Sequence, residues 1–267
     1  MKRDYRIVPS PALGYGLEML VYGTAGKPML VFPSQEGRFF DYENFGMIEV
    51  LAPFINKGLI QVYCVDSNDK ETWFSDCDAH DKMLRAKDYE NALISSVVPH
   101  ILSDGHKDAG ILLHGCSFGA FHTALFAMKY PEYFDSAIAL SGAYDISFTL
   151  NRPIREITEA FNPISMSSFL PSATRKQLKN SLFIICSGQG PWEEWNHEAE
   201  SLTNSLKSIG ANAMLDLWGY DVSHDWPWWK KMIVYFLGKF ERSGFLHSDN
   251  RISEEDSSSF IKNFAEL

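Results

Sequence analysis

The chain has 267 residues, 45% of them apolar and 14% aromatic, enough for one large folded domain and too apolar for a disordered chain. Its 24 basic and 34 acidic residues leave a net charge of −10, and no Lys/Arg run interrupts that acidity. Nucleic acid and anionic membranes are therefore excluded as principal partners, and a small neutral or cationic substrate fits better.

A turn-rich lead-in over 9–16 precedes a loosely alternating strand at 17–22, and 23–28 reads as a hairpin connection to a buried strand at 29–32. These first strands are expected to form an antiparallel edge. Residues 38–57 have helical spacing at Phe45, Ile48, Leu51, Phe54 and Ile55, with a break expected near Pro53. A strand at 59–65 and a polar connection lead to a long helix over 81–102, striped by Leu84, Tyr89, Leu93, Val97 and Ile101. An apolar run at 111–113, a helix over 120–130 and a strand at 136–140 follow.

Residues 144–182, with Pro153, Pro163 and Pro171, read as an irregular insertion with short helices, or a cap. Beyond them come a strand at 182–186, a helix over 195–209, a strand at 213–218 and a helix over 227–240. The composition turns polar from Gly244, and 254–267 suits an amphipathic helix with Phe260, Ile261, Phe264 and Leu267 on one side. The expected organisation is one α/β domain over 1–243 and a polar tail over 244–267. Strand–helix alternation implies a mostly parallel sheet with helices on both faces, and a site outside the C-terminal ends of its strands.

One stretch carries the chemistry. Gly110-Ile-Leu-Leu-His-Gly-Cys-Ser-Phe-Gly119 is an apolar strand that runs into Gly115-x-Ser117-x-Gly119 and then a helix. A sharp strand-to-helix turn at a Ser between glycines is the nucleophile elbow of α/β-hydrolases. It lifts the hydroxyl to the strand's end, where the helix N-terminus favours developing negative charge. The register exposes Ser117, so neighbouring Cys116 is not the nucleophile.

A nucleophilic Ser needs a base and an acid to orient that base, in the chain order Ser, acid, His. Of eight histidines, His80, His100 and His106 precede Ser117, while His114 and His122 fall in the flanking strand and helix. His197 opens a helix and His247 sits in the tail; His224 alone lies in a loop between a late strand and the last helix, where the base belongs. The acid belongs in the loop Ser187-Gly-Gln-Gly-Pro-Trp-Glu-Glu, where Glu193 is the first choice and Glu194 the alternative, with Asp216 and Asp221 behind them. Oxyanion donors are expected at the N–H of Phe118 and in the loop after the early strand, at Gln35, with Ser34 and Glu36 as neighbours.

Six of the seven Trp lie at or after position 192, either as an aromatic wall beside the site or as packing for the last helix. Asp76-Cys-Asp-Ala-His80-Asp81 matches no metal loop and reads as a helix cap. No metal or cofactor is expected. The four cysteines lie far apart, no signal-peptide core follows the basic N-terminus, and no window approaches a membrane span. A cytoplasmic protein is expected, with no membrane partner.

These motifs together resemble the esterase family of α/β-hydrolases, the group that includes esterase D-like enzymes, feruloyl esterases, enterochelin esterases and mycobacterial mycolyltransferases. The matching residues are Gly115-Cys-Ser-Phe-Gly119, Lys129-Tyr-Pro-Glu-Tyr-Phe134, Ala137-Ile-Ala-Leu-Ser-Gly142 and Ser223-His-Asp-Trp-Pro-Trp228. The resemblance spans about residues 5–240 and departs from the usual pattern where Val-Phe-Pro-Ser replaces a His-Gly after the early strand. It implies the α/β-hydrolase fold, a Glu as the triad acid, and a serine esterase acting on a small-molecule ester through an acyl-enzyme. The alternatives are acyl transfer by the same triad, or a non-catalytic binding protein on this fold. Oligomeric state is unknown from the sequence.

Overall fold

A computed structural model describes residues 1–107, 109–152, 154–247 and 251–267, and Pro153 lies outside the described residues. The strands are β1 (Arg3–Ser10), β2 (Tyr15–Tyr22), β3 (Lys27–Phe32), β4 (Ile60–Val65), β5 (Ile111–Cys116), β6 (Phe134–Leu140), β7 (Leu182–Ser187) and β8 (Asn212–Leu217). They form one sheet in the order β1-β2-β4-β3-β5-β6-β7-β8. Pairing is parallel from β4 to β8 and antiparallel for β1–β2 and β2–β4. Every residue of β3 to β7 is buried, which is why these strands read as continuous apolar runs.

The expected antiparallel N-terminal edge is present, but its hairpin joins β1 to β2 and not β2 to β3. β2 pairs with β1 across a turn at Gly14, and the connection over 23–26 carries the chain past β4 to β3. Gly26, at φ +101°, presses against the Leu59–Ile60 backbone, where a Cβ would come within 2.4 Å of the Ile60 nitrogen. β1 escapes a hydrophobic reading because it is an edge strand carrying Arg3, Asp4 and Arg6, charges that discourage further pairing.

The helices are α1 (Asp41–Asn44), α2 (Met47–Asn56), α3 (Ala79–Ala92), α4 (Val98–Ser103), α5 (Phe118–Lys129), α6 (Arg155–Phe161), α7 (Pro163–Met166), α8 (Ser172–Gln177), α9 (Asn196–Ser208), α10 (Trp226–Arg242) and α11 (Glu254–Lys262). The break near Pro53 falls instead at Gly46, whose φ of +76° separates α1 from α2. A π turn over Leu93–Val97 joins α3 to α4, with the Val98 N–H donating to the Leu93 carbonyl. Pro99 has no N–H to continue the regular ladder, so the helix widens just before it. Asp78, in the segment read as a cap, accepts from the N–H groups of His80 and Asp81 at the start of α3.

Two apolar clusters cover the sheet. One joins α3, α5, α6 and α9 to one face, and the other joins α2 and α10 to the opposite face. The tail belongs to the second. Ser253 and Asp256 form a capping box at α11, and Phe260 packs on Phe240 and Phe245 at 5.3 Å. The segment 144–182 forms α6, α7 and α8 with two short 3₁₀ turns. It is held to α9 by Glu198, which is buried and accepts from the N–H groups of Tyr144 and Asp145.

Candidate active site

Ser117 stands between β5 and α5 with φ +57°, a left-handed conformation that a side-chain-bearing residue adopts only under constraint. The two glycines make it feasible. A Cβ on Gly115 would lie 2.3 Å from the Gly119 carbonyl carbon, and one on Gly119 would lie 2.6 Å from the carbonyl oxygens of Phe32 and Pro33. The elbow is thus pressed against the end of β3, and the Ser117 N–H continues the sheet by donating to Leu140.

His224 reaches the elbow from the loop after β8. Its Nε2 is 3.0 Å from the Ser117 Oγ, and its Nδ1 is 3.2 Å from Glu193 Oε2. With the proton on Nδ1, the imidazole donates to Glu193 and accepts from the Ser117 hydroxyl. The Trp195 and Trp229 rings meet the imidazole edge-on at 5.9 and 5.0 Å. The loop itself is held by the acid loop: Gly190 N–H donates to Val222 O and His224 N–H to Pro191 O.

Glu193 is 2% exposed at its side chain and is surrounded by donors. Ser141 Oγ donates to Oε1 at 2.6 Å, the Gly188 N–H to Oε1 at 3.2 Å, and Ser187 Oγ lies 3.1 Å from Oε2. Such donors satisfy the oxygens of a buried carboxylate and fix its orientation. Glu194 faces solvent, so the structure brings only the first of the two candidate acids to the imidazole. Asp216 turns to the Trp218 indole at 3.3 Å, and Asp221 is exposed.

Of the oxyanion candidates, Phe118 is the first residue of α5, where backbone N–H groups have no partner within the helix. Gln35 is exposed in the loop after β3, Ser34 is half-buried, and Glu36 has φ +52°. β3 runs parallel to β5 with Phe32 opposite Gly115, so this loop leaves the sheet beside the elbow.

Several residues around the site escaped the sequence reading. Ser141 directly follows β6 and Ser187 ends β7, positions legible only once the sheet order is known. Phe74 and Phe148 pack on the Phe118 ring at 4.9 and 6.4 Å and form an aromatic wall on the elbow's side of the sheet. Of the Trp residues, Trp229 is buried in α10 against the site and serves both readings, while Trp192 is 72% exposed and serves neither. His114 and His122 are packing residues, the first donating to the Ile138 carbonyl and the second paired with Asp69. Burial pushes the Cys116 thiol far above its ordinary range, which leaves it inert as a nucleophile.

An eight-stranded, mostly parallel sheet with a strained serine at the end of β5 defines an α/β-hydrolase. The family model described as "Putative esterase" matches residues 59–240, and the chain belongs to that family, as a carboxylic ester hydrolase. Solved structures agree on the fold. A ferulic acid esterase superposes with a TM-score of 0.68 at 13% identity, covering 90% of this chain and 98% of that one. MPT51 (FbpC1) of Mycobacterium tuberculosis gives 0.65 at 14% identity, covering 89% and 97%. S-formylglutathione hydrolase (FrmB) of Staphylococcus aureus gives 0.57 at 15% identity, covering 89% and 98%. No curated protein matches the chain in sequence. Among the described residues, no helix is long and apolar enough to cross a membrane.

Proposed function

We propose that the chain hydrolyses carboxylic esters of small molecules by a Ser117–His224–Glu193 triad and an acyl-enzyme. The observation that carries this is the continuous chain of contacts from Ser117 Oγ to His224 Nε2 and from Nδ1 to Glu193 Oε2. His224 takes the Ser117 proton as Oγ attacks the ester carbonyl, and the imidazolium is held by the Glu193 carboxylate. The N–H of Phe118, with that of Gln35, receives the oxyanion, aided by the N-terminus of α5. His224 then returns the proton to the departing alcohol. A water deprotonated by the same imidazole attacks the acyl-enzyme and frees the acid and Ser117. No metal or cofactor enters this sequence.

The Phe74, Phe118 and Phe148 rings favour an apolar group on the substrate. Four free cysteines, three of them buried, suit the reducing cytoplasm in which we place the protein. Ser117→Ala is expected to abolish turnover of a small chromogenic ester, and labelling by a fluorophosphonate, while leaving the circular dichroism spectrum unchanged. Wild-type turnover in that variant would refute the mechanism.

A further inference from the structure

We infer that Ser141, itself oriented by the Trp229 indole, is a positioning residue that aims the Glu193 carboxylate at His224; the inference rests on the triad proposed above. Ser141 is buried at the end of β6, and its hydroxyl makes two contacts of opposite sense. It accepts from Trp229 Nε1–H at 3.0 Å and donates to Glu193 Oε1 at 2.6 Å. An indole nitrogen can only donate, so the single hydroxyl proton of Ser141 is forced toward the carboxylate. The contacts run in one direction, from Trp229 through Ser141 to Glu193, and meet His224 arriving from the other carboxylate oxygen.

The backbone supports the same reading. Ser141 has φ +51°, a conformation suited to glycine, and its N–H is tied to the Cys186 carbonyl at 2.7 Å. Directly after it, the space a Cβ on Gly142 would take is filled by the Tyr144 ring, 2.4 Å away. The strained residue thus carries the hydroxyl that donates to the acid. The other hydroxyl near the carboxylate is less committed. Ser187 Oγ lies 2.7 Å from Asn196 Oδ1 and 3.1 Å from Glu193 Oε2, and its one proton can serve only one of them. Trp229 has a double hold on the site, since its ring also packs edge-on against His224.

A hydrogen bond from Ser141 draws negative charge toward Oε1. Without it, more charge sits on Oε2 beside His224, and the imidazolium formed as Ser117 attacks is held more tightly. The carboxylate also loses a restraint, and a hydrogen bond to a charged group is strong enough for about a tenfold loss in rate.

The test compares wild type, Ser141→Ala, Ser141→Gly, Trp229→Phe and the Ser141→Ala/Trp229→Phe double variant, all full length. It measures kcat and KM for a small chromogenic ester across pH. Both Ser141 variants should lose about tenfold in kcat at nearly constant KM, with the acidic limb of kcat/KM displaced to higher pH. Trp229→Phe keeps a ring against His224 and should shift the limb the same way by less. The double variant should be no worse than Ser141→Ala, because the indole acts through the hydroxyl. Ser141→Gly separates the hydroxyl from the backbone, since it relieves the positive φ and removes only the side chain. Wild-type kcat and pH profile in Ser141→Gly, or additive losses in the double variant, would overturn the inference while inactivity of Ser117→Ala left the triad standing. Full activity of Ser117→Ala would remove both.

Discussion

Glu193 and Glu194 are chemically alike and adjacent in sequence, yet one is enclosed by donors and the other faces water. The difference is made by the loop. Trp192 takes φ +63°, the Glu193 N–H bonds back to Gly190, and the loop is tied to 219–224 across the sheet end. Those ties join residues some thirty positions apart, so the sequence could place Glu193 ahead of Glu194 but could not show the contacts that bring Glu193 alone to His224. Ser117 and His224 were legible because each is marked locally, one by flanking glycines, the other by its place before the last helix. For Glu193→Gln, an amide would present either a carbonyl or an N–H to His224 Nδ1, and the latter would favour the wrong tautomer. Its kcat should fall by about a hundredfold or more. Glu194→Gln should leave kcat and KM at wild-type values, and a loss there equal to that of Glu193→Gln would reassign the acid.

The buried elements could be read because both faces of β3 to β7 are covered, which forces uninterrupted apolar runs. The pairing of β2 was not legible. It depends on how 23–26 crosses β4, a path set by two glycines at positive φ and by close backbone contact, not by any side-chain pattern. The elbow shows why its glycines matter as packing units. Gly119 is the point where α5, β5 and the end of β3 converge, and any Cβ there meets the Phe32 and Pro33 carbonyls. Gly119→Ala must therefore part the elbow from the loop that holds Gln35. Overpacking of this kind costs about 1–3 kcal/mol. Denaturant titration should show that loss, accompanied by a drop in kcat larger than the change in KM. A variant with unchanged stability would mean the contact relaxes without moving the strand.

Across the whole molecule, the centre of the sheet carries a titratable group that the proposed chemistry does not use. His114 lies fully buried in β5, between the Ile138 carbonyl, to which its Nδ1–H donates at 2.8 Å, and the edge of the Tyr42 ring. Burial pushes its pKa down to about 4, only partly offset by the bond to Ile138. An unfolded chain binds this proton near the ordinary value of about 6.5. Between those values the unfolded state holds more protons than the native state, so stability falls as pH drops from 6.5 towards 4. The loss is complete once both states are protonated, and for a shift of this size it amounts to about 3 kcal/mol, a sizeable part of an ordinary domain's stability. Burial also lowers His100, which adds in the same direction, whereas the carboxyls of Asp66 and Glu198 are raised and become more stabilising as pH falls. The His114 contribution is isolated by His114→Asn, whose amide can still donate to Ile138 but takes up no proton. Urea midpoints measured from pH 7 to pH 4 should fall more steeply for the wild type than for His114→Asn. Parallel slopes would show that the sheet opens to admit the proton without unfolding.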